Sequence, residues 1–133
     1  MKTLIIGASR NWAKGVLEWN LALDENGGPH LGGCGNCRGV VTINSATGAV
    51  TKNLEYYALG HASKFVRHGA LRIASNSVSG IETVAFKNAD DNSIVLIVLN
   101  ANAAASTFTV KFDASYFSTT LPAGAAATYV WKP

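Results

Sequence analysis

The sequence predicts a mainly β protein: an antiparallel β-sandwich with one short helix, preceded by a helix–strand segment. Three features of the chain point there. After Gly69 it breaks into short runs, Leu71–Ser75, Thr83–Lys87, Ile94–Leu99, Thr107–Phe112 and Thr128–Trp131, split by Ser, Asn, Asp, Gly or Pro. That spacing is typical of a sandwich. Within one run Phe108, Val110 and Phe112 alternate with Thr107, Thr109 and Lys111, so one face is buried and the other wet. Ile94 to Leu99 is apolar throughout, as expected of a central strand covered on both sides.

Upstream the elements follow in order. Residues 1–14 are mixed, with Leu4, Ile5, Trp12 and Ala13 placed to share a helical face. Val16 to Leu23 reads as a buried strand carrying a Trp19-Asn20 pair, and Gly27-Gly28-Pro29 turns the chain out beyond it. A strand of a (β/α)8 barrel delivers side chains to a site in this way at its C-terminal end. Such a barrel needs about 250 residues, and this sequence has 133. The expectation is the closing part of an enzyme whose earlier strands are absent. Asp24 to Cys37 is a loop with glycines at 27, 28, 32, 33 and 35. Gly39–Asn44 and Ala49–Lys52 are β-branched runs around Ser45-Ala46-Thr47-Gly48, which predicts a hairpin. Leu54, Tyr57, Ala58, His61, Ala62 and Phe65 recur at helical spacing, predicting an amphipathic helix over 54–66 with Asn53 as its N-cap.

Composition narrows the function classes. Only 14% of residues are charged against 48% hydrophobic, which favours a folded domain over disorder. The formal net charge of +3 comes from Lys and Arg scattered singly. No basic cluster interleaves with aromatics, so nucleic acid is not an expected partner. The apolar run Leu4–Ala8 is shorter than the roughly 7–15 residues of a signal-peptide core, and Arg10 interrupts it. No stretch approaches the roughly 20 apolar residues of a membrane span.

The segments LEWNLALDENGGPH, GGCGNCRGVVTI, YYALGHASKFV, ALRIAS, AFKN followed by SIVLIVLN, and the closing LPAGAAATYVW resemble, in that order, glycoside hydrolase family 30. This family includes glucosylceramidases, β-glucosidases and endo-glucanases. The resemblance covers essentially the whole chain. One departure is His68, which stands where relatives usually carry proline. The resemblance implies that residues 1–23 are a remnant of the last helix and eighth strand of a (β/α)8 barrel. Residues 24–37 are then a Gly-rich loop with a CxxC, and 38–133 the C-terminal β-sandwich. It further implies a retaining hydrolase of β-glucosides, glucosylceramidase-like, with two glutamates about 5–5.5 Å apart. In the family these lie on the fourth and seventh barrel strands, upstream of Met1. None of Glu18, Asp24, Glu25, Glu55, Glu82, Asp90, Asp91 and Asp113 matches either catalytic motif.

The chain alone is therefore expected to be an inactive structural sandwich, needing no cofactor, from a parent that is secreted or extracytoplasmic. Its partners would be a β-glucoside or glucan in the parent and either a second copy or the missing barrel. A free-standing carbohydrate-binding module and a subunit completing another chain's barrel are the rival readings. Trp19 and Asn20 are the candidate substrate-binding residues of the parent: in the family a Trp here lines the glucose subsite, and a flat ring suits the apolar face of a pyranose. For the isolated chain, core or interface packing of Trp19 is the stronger reading. The spacing of Cys34 and Cys37 fits a disulfide, a redox pair or a metal site. A loop-stapling disulfide is favoured over free thiols and over metal, because His30 would be only a third ligand where structural zinc needs four. His61 reads as a satisfied, semi-buried histidine, since no nucleophile or acid is placed near it. Tyr56, Tyr57, Tyr116 and Tyr129 read as core or inter-domain packing rather than a sugar platform.

Overall fold

Ile94–Asn100 lies at the centre of the protein because every side chain it presents, on either face, is apolar until the terminal Asn. The computed structural model describes all residues, Met1–Pro133. Nine strands occur: β1 (Ala22–Leu23), β2 (Val41–Ile43), β3 (Val50–Lys52), β4 (Leu71–Ile73), β5 (Ile81–Lys87), β6 (Ile94–Asn100), β7 (Ser106–Phe112), β8 (Ser115–Leu121) and β9 (Ala126–Trp131). A main sheet of order β4-β5-β6-β9 is antiparallel throughout. The hairpin β7-β8 forms the opposing layer. A small third sheet pairs β1 parallel to β2 and β2 antiparallel to β3.

The period of a strand sorts the main sheet's side chains into two cores. Ile81, Ala85, Leu96 and Val98 face the hairpin and pack with Leu121, Phe108, Val110, Tyr129 and Trp131. Val84, Val95 and Ile97 face the other way, against Ile5, Ile6, Leu59, Ala62, Phe65 and Val66. Each fully buried aliphatic side chain contributes about 1.5–3 kcal/mol. The expected sandwich and the double-sided cover of β6 are both present.

The helical layer consists of a π-helical turn, Lys2–Gly7, continuing into α1 (Ala8–Arg10), and of α2 (Leu54–Ser63). The wide turn is visible in Ile6 N–H donating to the Met1 carbonyl at 3.1 Å, which brings the adjacent Ile5 and Ile6 onto the sheet together. The expected face of Leu4, Ile5, Trp12 and Ala13 is thus corrected: Leu4 and Trp12 are exposed. Asn53 stands at the N-cap of α2 but makes no capping bond. Its Nδ2 donates instead to the Gly39 carbonyl and Thr42 Oγ1, at 2.8 and 2.9 Å, tying the helix to β2. Leu59 and Ala62 of α2, with Phe65 and Val66 just beyond it, are the partly buried residues that pack on the sheet, whereas Leu54 and Tyr57 of the expected face point to solvent. Buried Asn88 closes the far end, donating to the Phe65 carbonyl and accepting from Arg67 N–H. A polar group so placed must be fully bonded to be tolerated.

Two further expectations change. The strand over Val16–Leu23 is paired only at Ala22 and Leu23, because the chain offers β2 as its sole neighbour. The strand Ser115–Leu121 was not among the expected runs. It forms because the tight turn at Asp113 (φ 52°) returns the chain onto β7.

Candidate functional site

Trp19 and Asn20 lie just before β1, at the point where the chain leaves for the loop 24–37. Asn20 is held in the left-handed region, φ 66°, which Asn tolerates through local hydrogen bonding. Its Oδ1 accepts the Ala22 N–H at 3.2 Å and its carbonyl accepts the Val40 N–H at 3.1 Å. Its side chain therefore shapes the backbone beneath Trp19, whose ring is 72% exposed. Leu17 and Leu21, at 96% and 75%, are exposed as well. Within this chain Trp19 is not core, which corrects the core half of the core-or-interface reading.

The loop after β1 is organised by two carboxylates. Asp24 Oδ1 accepts from Asn26 N–H at 2.8 Å and Gly28 N–H at 2.7 Å. Glu25 accepts from the Ser45 hydroxyl and amide, which hold its carboxyl below the usual range. Gly39 lets the loop return against β1: a Cβ there would lie 2.7 Å from the Val41 carbonyl oxygen and 2.8 Å from the Leu23 nitrogen. The resulting cleft, about 280 Å3, is lined mainly by polar and glycine residues from Leu23 to Gly27 and Gly35 to Gly39, with Thr42. Cys34 and Cys37 are joined in this loop, their Cα atoms 5.4 Å apart.

Glu55, Glu82, Asp90 and Asp91 are engaged in ion pairs. Glu55 is lowered chiefly by the Arg38 hydrogen bond and Glu82 chiefly by Lys2. Asp91 is lowered to about 2, first by the Ser93 hydroxyl and amide and then by Arg67 and Lys132. A general acid needs the opposite shift. No three or more His, Cys, Asp or Glu side chains gather as a metal site. His61 faces the edge strand, its Nδ1 2.8 Å from Thr128 Oγ1, and burial pushes its pKa down. Tyr129 packs with Phe108 and Phe117, while Tyr56, Tyr57 and Tyr116 are exposed. An arrangement that sequence reasoning missed is Trp12 under the guanidinium of Arg72, 3.9 Å from ring centroid to Cζ. The two are sixty residues apart in the chain, and no local pattern links them.

Residues 69–129, the stretch that runs from β4 into β9, match the family model described as the glycosyl hydrolase family 30 beta sandwich domain. This is a family 30 β-sandwich. The chain is 39% identical over 104 residues to an endo-1,6-beta-D-glucanase of Neurospora crassa, covering 71% of this chain and 22% of that protein. It is 32% identical over 125 residues to the lysosomal acid glucosylceramidase of Mus musculus, covering 89% and 23%. Among solved structures, the endo-beta1,6-glucanase BT3312 superposes with a TM-score of 0.87 at 34% identity, over 98% of this chain and 30% of that one. The family 30 chain thus spans under a quarter of the length of these two curated relatives. No helix of it is long and apolar enough to cross a membrane.

Proposed function

We propose that the chain serves a family 30 hydrolase of β-linked glucosides as its accessory sandwich, bracing the catalytic barrel and shaping the rim of its mouth. The carrying observation is the superposition on an endo-beta1,6-glucanase over 98% of the chain. In this reading residues 1–23 belong to the barrel, 24–37 to its rim and 38–133 to the sandwich. Trp19 is then the wall of a glucose subsite, Asn20 fixes the backbone that presents it, and Cys34–Cys37 staples the rim. In this reading neither catalytic glutamate is among the chain's own carboxylates; the downward shifts of Glu25, Glu55, Glu82 and Asp91 support it for those four, since a general acid needs a raised pKa. The exposed apolar row Leu17, Trp19 and Leu21 is covered by further barrel strands or by a second copy, since an apolar patch of this kind marks a contact surface.

A free-standing binding module would need several coplanar aromatics on one sheet. The outer face of the hairpin offers Tyr116 beside Lys111 and the hydroxyl pairs Thr107–Thr120 and Thr109–Ser118, which favours the accessory reading. Two assays test it. The chain should release no chromophore from an aryl β-glucoside above buffer, and insoluble β-glucan should not retain it. Turnover that survives repurification and disappears in Glu18→Gln would sink the accessory reading.

A further inference from the structure

Beside the sandwich, between the end of α1 and strand β4, lies an open pocket of about 680 Å3. Three cations, Lys14, Arg67 and Arg72, border it together with Ser9 and His68, and no carboxylate does. Arg67 is already neutralised, pairing with Asp90 at 2.6 Å and Asp91 at 3.2 Å. Lys14 and Arg72 pair with no carboxylate anywhere in the chain. Arg72 is also held in place. Its guanidinium lies over the Trp12 ring, and its Nε is shielded from solvent without an acceptor. The terminal nitrogens are thus the fork's remaining outlets, and such a fork matches a planar or tetrahedral oxyanion.

The neighbouring geometry fixes Trp12 for the same purpose. Arg10 Nη1 donates to the Ser75 and Thr83 carbonyls, at 2.9 and 3.0 Å, and pins the end of α1 to the sheet. Trp12 follows at φ 68°, a conformation that bulky residues adopt only under constraint. One face of its ring carries Arg72, yet the side chain remains 74% exposed, so the other face is open. An open indole face beside unpaired cations suits a sugar ring that bears a charge.

We propose that this pocket binds a pyranose carrying an oxyanion, a carboxylate or a phosphate monoester, with the ring on Trp12 and the oxyanion on Arg72 and Lys14. The ring part rests on the carbohydrate reading above; the oxyanion part rests on the charges alone.

The test is a titration of the 15N-labelled chain, residues 1–133, with glucuronate, glucose 6-phosphate, glucose and inorganic phosphate, each at constant ionic strength. The indole N–H of Trp12, assigned through Trp12→Phe, and the amides of 67–72 report on the pocket. One or both sugar anions should shift these signals, their order separating carboxylate from phosphate, and added salt should weaken the effect. Arg72→Gln should weaken binding roughly tenfold, the weight of one charge-assisted hydrogen bond. Lys14→Gln, an exposed change that leaves the fold intact, should weaken it several-fold. Inorganic phosphate binding as tightly as glucose 6-phosphate would overturn the sugar part. Silence at Trp12 with both sugar anions, or equal affinity in Lys14→Gln and Arg72→Gln, would overturn the site. None of these outcomes depends on glucoside turnover, so failure here is distinct from failure of the accessory role.

Discussion

His61 Nδ1 and Thr128 Oγ1 lie 2.8 Å apart, linking α2 to β9, the edge strand of the main sheet. The imidazole is half-buried against the sheet, and loss of solvent favours its neutral form. Its folded pKa is below the unfolded value, so the unfolded chain binds the extra proton first. The stabilisation is complete above the ordinary histidine value of about 6.5 and is lost as pH falls through the lowered folded pKa.

Urea midpoints at pH 7.5 and 5.5 should therefore differ in the wild type and nearly coincide in His61→Gln. Glu25, Glu55, Glu82 and Asp91 are all shifted downward, away from this window, so they add little to it. An equal pH dependence in both proteins would show that His61 is not the group responsible.

The central strand sets the second expectation. Ile97 is fully buried between β5, β9 and the helical layer, whereas Leu71 on edge strand β4 is 68% exposed. Ile97→Ala should cost about 2–5 kcal/mol, transfer plus cavity, and Leu71→Ala should stay within about 0.5 kcal/mol. Chemical denaturation of the two variants decides the matter: similar losses would mean that the double-sided packing of β6 is not what holds the sandwich.

What could be read from the sequence follows the physics of each segment. β6 and β7 were legible because burial on two faces leaves an unbroken apolar run and burial on one face leaves alternation. β8 was not, since its residues 118–120 are Ser-Thr-Thr, and its membership depends on pairing with β7 rather than on its own pattern. The register of α2 was misread for a related reason. Ala62 and Phe65 of the expected face do pack on the sheet, but Leu54 is as apolar as Leu59, and only the position of the sheet decides which of the two is covered. The reading of 16–23 as a full strand needed neighbours that this chain does not supply. At the candidate site, the CxxC loop and Trp19 were visible as motifs, while the Trp12–Arg72 contact exists only through the fold.

The staple in the rim loop gives a third expectation. Cys34 and Cys37 close a ring of only three residues' separation, for which the loop-entropy account allows about 2 kcal/mol. They lie on an exposed loop away from both cores. Thiol titration of the unfolded, unreduced chain should find far less than two equivalents. The Cys34→Ser, Cys37→Ser pair should loosen residues 24–37 to proteolysis while leaving the sandwich's cooperative unfolding nearly unchanged. Stoichiometric zinc by elemental analysis would contradict the staple.

Assembly is the last expectation, and burial sets its size. Ile5, Ile6 and Leu23 of the N-terminal segment are already covered by the rest of the chain. Leu17, Trp19 and Leu21 remain exposed. Covering Leu17 and Leu21 contributes about 1.5–3 kcal/mol each, and Trp19 adds a larger area. Association costs roughly 4–15 kcal/mol before any net affinity appears. The balance predicts a weak, concentration-dependent dimer for the isolated chain rather than a tight one. Light scattering across a dilution series should show the mass falling toward the monomer's 13.9 kDa. Leu17→Ser with Leu21→Ser should give the monomer mass throughout, without loss of thermal stability, because neither side chain touches a core. A wild-type chain that is monomeric at every concentration would remove the exposed segment 17–21 as a self-association surface. A double variant that dimerises as strongly as the wild type would place the contact elsewhere.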